Sequence, residues 1–161
     1  GLATTGVLPM AGRGVAWSAE WSVAPRWTLA SGALWLPEQR AAEPALTFGL
    51  TAGWIGVCAE ALRPGRLSLG ACVHLLGGAV HAAVHEHPSV LPVDPGARLW
   101  VSPGVGTRLA VRVIGPLRLE TGIDLYFPLT RYSFQLEGNQ QPIFEQPVVA
   151  GALFGGAGIA F

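Results

Sequence analysis

Residues 100–132 read WVSPGVGTRLAVRVIGPLRLETGIDLYFPLTRY, two alternating runs around a break at Gly115-Pro116-Leu117. On the first run Val101, Val105, Leu109, Val111 and Val113 share one parity; Trp100, Ser102, Gly104, Gly106, Arg108, Ala110 and Arg112 share the other. On the second, Leu119, Ile123, Leu125, Phe127 and Leu129 alternate with Arg118, Glu120, Gly122, Asp124, Tyr126 and Thr130. A period of two is the mark of a strand. Folding the chain about Pro116 sets Arg112 opposite Glu120 and Arg108 opposite Asp124. One face is then apolar throughout, and the other carries opposed charges, glycines and hydroxyls.

In a soluble sheet the polar face meets water and the apolar face a core. Here the polar face is crowded with Gly and Ala, and its charges are matched across the strands. That suits the inside of a narrow barrel, where small side chains leave room and buried ions need partners. The apolar face then looks at lipid. The expectation is an all-β fold: a closed, antiparallel, eight-stranded transmembrane barrel of up-and-down meander topology. Arg108–Asp124 and Arg112–Glu120 are its expected interior ion pairs.

Length and composition fit this. A chain of 161 residues is one domain, spanning 1–161, and can close about eight strands. Half the residues are hydrophobic and 12% are charged, against roughly 25% charged in an ordinary soluble domain. Yet no run approaches the ~20 apolar residues of a membrane helix. The formal net charge is zero, which gives no footing for nucleic acid. The chain opens at Gly1 without a signal peptide, so a processed or trimmed leader, or an omitted upstream domain, is expected.

The same rhythm recurs along the chain. Gly1 to Leu8 reads as a weak strand and Gly14 to Val23 as the second. Trp27 to Leu36 returns about Pro25, with Trp21 opposite Leu29 and Trp35 opposite Val15. Outward Trp reads as an aromatic girdle, or else as cross-strand packing in a core. Leu46 to Leu62 alternates less well: the register that takes Cys58 and Glu60 inside also takes Phe48, Leu50 and Trp54. A bulge between Gly49 and Gly56 would relieve this. Leu67 to Ala83 follows, with Cys72 and His74 inward. Folding about Gly65 sets Cys58 opposite Cys72, close enough for a cross-strand disulfide in an oxidising periplasm, or for two adjacent thiols. Val148 to Phe161 is the last strand. Short breaks at Pro25, Gly65 and Pro116 alternate with longer ones near Met10, Arg40, Pro92 and Gln141. Short turns on one side and long loops on the other is the outer-membrane arrangement, with both termini periplasmic.

That last strand carries Val149, Leu153, Ile159 and a terminal Phe161 on one face. It resembles the C-terminal signal of bacterial outer-membrane β-barrels. The resemblance implies a Gram-negative outer membrane, surroundings of lipid bilayer and lipopolysaccharide, and a barrel-assembly machinery that reads Phe161 during insertion. It also implies the small-barrel class, which holds membrane anchors, channels for hydrophobic compounds and a few lipid-modifying enzymes.

Chemistry is sparse. Glu20, Glu60, Arg108, Arg112, Arg118, Glu120 and Asp124 form an interior cluster that reads as a self-neutralised plug, or alternatively as a narrow polar conduit. His81, His85 and His87 gather near Glu86, but on a strand His81 and His85 lie ~13 Å apart at about 3.3 Å per residue, too far for one metal. They read as solvated loop histidines. His87-Pro88-Ser89 is similar to the His-x-Ser pair of outer-membrane lipid A deacylases, with a proline inside the motif. No phosphate loop, CxxC zinc pair or cofactor motif is present. The expected role is a non-enzymatic structural or docking barrel, part of a larger envelope assembly, with partner proteins at its loops or wall. A small channel for solutes or hydrophobic compounds is the alternative, motivated by inward Phe48, Leu50 and Trp54. A lipid A deacylase-like hydrolase and a soluble β-sandwich or lipocalin-like barrel complete the range.

Overall fold

A chain that alternates in this way has one economical solution, a sheet closed on itself, and the computed structural model takes it. Residues 1–40, 46–84, 96–134 and 144–159 are described. Strands β1 (Leu2–Thr5), β2 (Gly12–Ala24), β3 (Trp27–Arg40), β4 (Leu46–Leu62), β5 (Leu67–Val84), β6 (Gly96–Ile114) and β7 (Leu117–Tyr126) run as an antiparallel meander. After β7, β8 (Ser133–Phe134) and β9 (Phe144–Glu145) pair as a small separate sheet, a feature with no signal in the alternation. β10 (Ala150–Ile159) then bonds to β7 on one side and β1 on the other, closing the eight-stranded barrel.

The stagger of the ring follows from its ladders. Ser22 on β2 pairs with Thr28, then Cys58, Cys72, Gly106, Asp124, Ala152 and Thr4 follow strand by strand, and Thr4 returns to β2 at Gly12. The path comes back ten residues from its start. With ~3.3 Å per residue and ~4.8 Å between strands, that stagger tilts the strands by about 40°, normal for a small barrel. Along the regular ladders even-numbered side chains face the lumen on every strand of the ring, and the parity changes past the bulges, as at Gln39, Leu62 and Ile114. Odd-numbered ones face out, and large apolar side chains such as Trp17, Trp21, Trp27, Ile55, Val73 and Ile123 are exposed there.

Two expected registers hold: Trp21 faces Leu29 and Val15 faces Trp35 across β2–β3, and Cys58 faces Cys72 across β4–β5. The β6–β7 hairpin differs. Arg108 lies opposite Gly122, Asp124 opposite Gly106, Glu120 opposite Ala110, and Arg112 opposite Arg118. Gly115 takes a φ of 53°, which makes Gly115-Pro116 a two-residue turn between the paired Ile114 and Leu117. A bulge between Arg112 and Ile114 then moves the ladder one residue further. The result is two residues from the register expected for a fold about Pro116. An even slip keeps every side chain on its face but changes who stands opposite whom. The expected Arg112–Glu120 pair is corrected on this ground.

The bulge expected between Gly49 and Gly56 is also corrected. The β4–β5 ladder is regular from Leu46 to Glu60, and the irregularities fall at Glu60/Leu62 and, against β3, at Leu36/Gln39. Phe48, Leu50 and Trp54 therefore stay inside, where other apolar side chains meet them. β1 is shorter than the expected Gly1–Leu8, because Gly6, at a φ of 74°, turns Val7 and Leu8 into the barrel mouth. Among the described residues β1 pairs with β2 only across Gly12–Gly14, and from Val15 onward β2 has its ladder with β3 alone. Lumen-facing Ala16 and Ser18 are exposed at that seam. Phe161 lies outside the described residues, as do His85, Glu86, His87, Pro88 and Ser89.

Engineered cysteines test the hairpin register. Thr107→Cys with Ile123→Cys, which stand opposite each other, should form a disulfide. Leu109→Cys with Ile123→Cys, which a fold about Pro116 would pair, should remain reduced by thiol titration and mass.

Candidate functional site

Among the described residues chemistry-bearing side chains converge in the lumen, and the ladders decide which of them meet. Asp124 stands opposite Gly106, where a Cβ would come within 1.9 Å of its Oδ1. Only a glycine there lets the carboxylate lie across β6 toward Arg108, one rung away. Arg108 Nη1 reaches Asp124 Oδ1 at 3.1 Å, and Arg108 Nε lies 3.7 Å from Glu120 Oε1. Its guanidinium also sits 4.0 Å above the Phe154 ring of β10, a cation–π contact. Tyr126 donates its hydroxyl to Asp124 Oδ2 at 3.2 Å. The Asp124 side chain is 6% exposed and that of Arg108 15%, so this pair is shielded enough for each charge to need the other.

Nearer the short-turn end, Arg118 Nη2 contacts Glu20 Oε2 at 2.5 Å and Glu120 Oε2 at 3.4 Å. Glu20 comes from β2 and Arg118 from β7, 98 residues apart. Between them β10 presents Gly156 and Gly158, paired with Glu120 and Arg118. With no side chain there, the arginine can cross behind the seam. Sequence reading placed Glu20 and Arg118 inside but could not join them. The signal was there: Glu20 faces Ala30 across its own hairpin and so must find its base elsewhere.

Toward the long-loop end the ionic layer gives way to aromatic and aliphatic side chains. His74 is buried with edge-on rings at 5.6 Å (Tyr126) and 6.3 Å (Trp54), and Trp100 stands edge-on to Tyr126 at 6.1 Å. Neither His74 nitrogen has a hydrogen-bond partner among the described residues. Above them Trp100 is 0% exposed, and Phe48, Leu36, Leu50 and Leu76 are each 1% exposed. Val7 and Leu8 cork the mouth, and Gln146 Nε2 donates to the Val7 carbonyl at 3.2 Å. Alternation alone gave no hint of this cork, because it sits in a connection rather than a strand.

The other sequence candidates fall as follows. Cys58 and Cys72 are disulfide-bonded, with Cα atoms 4.0 Å apart, and face the lumen beside Gly106. Glu60 sits at the turn-end rim, bound by Arg63 Nη2 at 2.5 Å. Arg112 is exposed at the same rim, away from Glu120, which is instead held by Arg108 and Arg118. His81 lies on β5 opposite Gly49 and Ala97. Among the described residues no cluster of His, Cys, Asp or Glu has the spacing of a metal site. Glu20, Glu120 and Asp124 are each engaged by an arginine, three carboxylates sharing Arg108 and Arg118. No protein-family model, curated protein or solved structure matches this chain.

The layer makes a graded expectation in denaturant titrations of the folded barrel. Asp124→Asn strips a buried guanidinium of its main partner and should cost about 3 kcal/mol or more. Arg112→Glu, at an exposed rim, should stay within about 0.5 kcal/mol. A double-mutant cycle on Arg108 and Asp124 should show coupling.

Proposed function

We propose that this chain is an integral outer-membrane β-barrel with a structural or docking role in the envelope, neither a conduit nor an enzyme. One observation carries the reading: the protein's own side chains cross the lumen in two successive layers. The Arg108–Asp124–Glu120 and Arg118–Glu20 contacts occupy the turn-side half. Trp100, Phe48, Leu50 and Leu76 occupy the loop-side half. A solute would have to break ion pairs and then pass an apolar core. Phe48, Leu50 and Trp54, which motivated the channel alternative, belong to that core or pack against it.

The location is supported by the outer wall. Its odd-numbered positions expose apolar side chains on every long strand, including four tryptophans, Trp17, Trp21, Trp27 and Trp35. A patch of that extent on a soluble monomer would drive association, whereas a bilayer solvates it. The short turns cluster at one end and the long connections at the other, as in outer-membrane barrels. In this reading lipid and lipopolysaccharide surround the wall, the assembly machinery inserts the chain, and envelope proteins meet the loops or wall.

The wild-type protein in planar bilayers should show no steps above leak; sustained single-channel conductance would overturn the non-conducting role. Trp100→Ala with Phe48→Ala removes two of the largest plug side chains, each at about 3–5 kcal/mol, and should make the barrel leaky. Membrane residence has its own check. The protein should require detergent for extraction and migrate anomalously unless boiled, and quantitative solubility without detergent would remove it from the membrane.

A further inference from the structure

The three short turns differ from the rest of the surface in charge. Arg26 lies in the first, Arg63 and Arg66 in the second, and Arg112 at the strand end beside the third. All four are exposed. Backbone hydrogen bonds join them into one arc: Glu60 N donates to the Arg26 carbonyl at 2.8 Å, and Arg112 N donates to the Arg66 carbonyl at 2.9 Å. The Arg66 side chain reaches the Val113 carbonyl at 3.4 Å across the gap between the second and third turns. Glu60, bound by Arg63, is the acid on this arc among the described residues. Four arginines against one acid leave the rim at +3. At the other end, the connections and strand ends carry four arginines and six acids by sequence, a balance of −2.

The arc also has a definite height. It borders the apolar wall directly: Trp27, Leu62 and Ile114 are more than half exposed next to its arginines. Arginine and tryptophan at the edge of an apolar belt is the arrangement of a bilayer interface, where phosphate oxygens lie within reach of guanidinium forks. A soluble acidic partner would explain the charge but not the greasy border.

We propose that Arg26, Arg63, Arg66 and Arg112 form a phosphate-binding rim that seats the turn end of the barrel on the headgroups of an anionic phospholipid leaflet. The inference rests on the membrane reading above and deepens it by naming the lipid chemistry and the end that meets it.

The test uses the full chain reconstituted in phosphatidylcholine vesicles. A fixed fraction of brominated lipid is added, either brominated phosphatidylglycerol or brominated phosphatidylcholine, and quenching of the outer tryptophans reports which lipid is a neighbour. The expected result is stronger quenching by phosphatidylglycerol, equivalent to a several-fold enrichment at the wall and reduced at high salt. The excess should vanish in Arg26→Gln/Arg66→Gln/Arg112→Gln and persist in Arg13→Gln/Arg40→Gln/Arg131→Gln at the opposite end. Should the triple rim variant fail to fold, Arg26→Gln alone and the salt dependence of the wild type decide. Equal quenching by the two lipids, or an excess that survives loss of the rim arginines, overturns the rim while leaving the barrel in the membrane. Quenching by neither lipid overturns the membrane reading itself. Rim-dependent binding of soluble polyglutamate without any phosphatidylglycerol preference assigns the arc to an acidic polypeptide and also overturns the proposal.

Discussion

The guanidinium of Arg108 is held on three sides, by Asp124 at 3.1 Å, by Glu120 at 3.7 Å and by the Phe154 ring at 4.0 Å. A charge inside so narrow a cylinder loses most of its water, so its partners must be placed by the fold. That requirement reaches outward. Asp124 can take its place only because position 106 is a glycine, and Glu120 only because the hairpin register sets it opposite Ala110. Glu120 in turn shares Arg118 with Glu20 on the far side of the seam. Four strands, β2, β6, β7 and β10, are thus tied across the seam through one arginine and its neighbours.

Above this layer the filling changes character, and the wall explains why the chain does not turn inside out. Along β4 apolar side chains stand on both faces, Phe48, Leu50 and Trp54 inside toward the long-loop end and Ile55 and Val57 outside nearer the turn end. Hydrophobicity alone does not choose the inward face of this strand. The preference is set lower down the same strands, where flipping the parity would carry Glu20, Arg108, Arg118, Glu120 and Asp124 onto the outer face. In a bilayer each such exposure would be costly. The ionic layer therefore fixes the orientation of the apolar layer, and the apolar layer, corked by Val7 and Leu8, seals what the ions alone would leave hydrated.

The two ends are chemically distinct as well. Tight turns need few residues and here those residues are repeatedly arginine, while the long connections at the other end hold most of the acids. The short turns and the exposed arginines beside them coincide at one end, so a single direction distinguishes the ends of an otherwise regular cylinder.

Strand identity, the number of strands in the ring, the parity that faces inward and the alternation of short and long connections were all legible in the sequence, because a period of two is a local property that each strand states for itself. The Cys58–Cys72 juxtaposition and the β2–β3 register were legible too, because the turn and the bulge beside it together leave those ladders symmetric about Gly65 and Pro25. What required the tertiary structure was anything that a turn or a closure decides. The glycine conformation at Gly115 and a bulge before Ile114 moved the β6–β7 register by two residues and sent Arg112 to the rim. Glu20 found Arg118 only because the ring closed. Phe48, Leu50 and Trp54 stayed inside without a bulge because side chains from other strands came to meet them. A sequence states which side of a strand each residue lies on; who stands across from it depends on turn geometry and on closure, which sum over the whole chain.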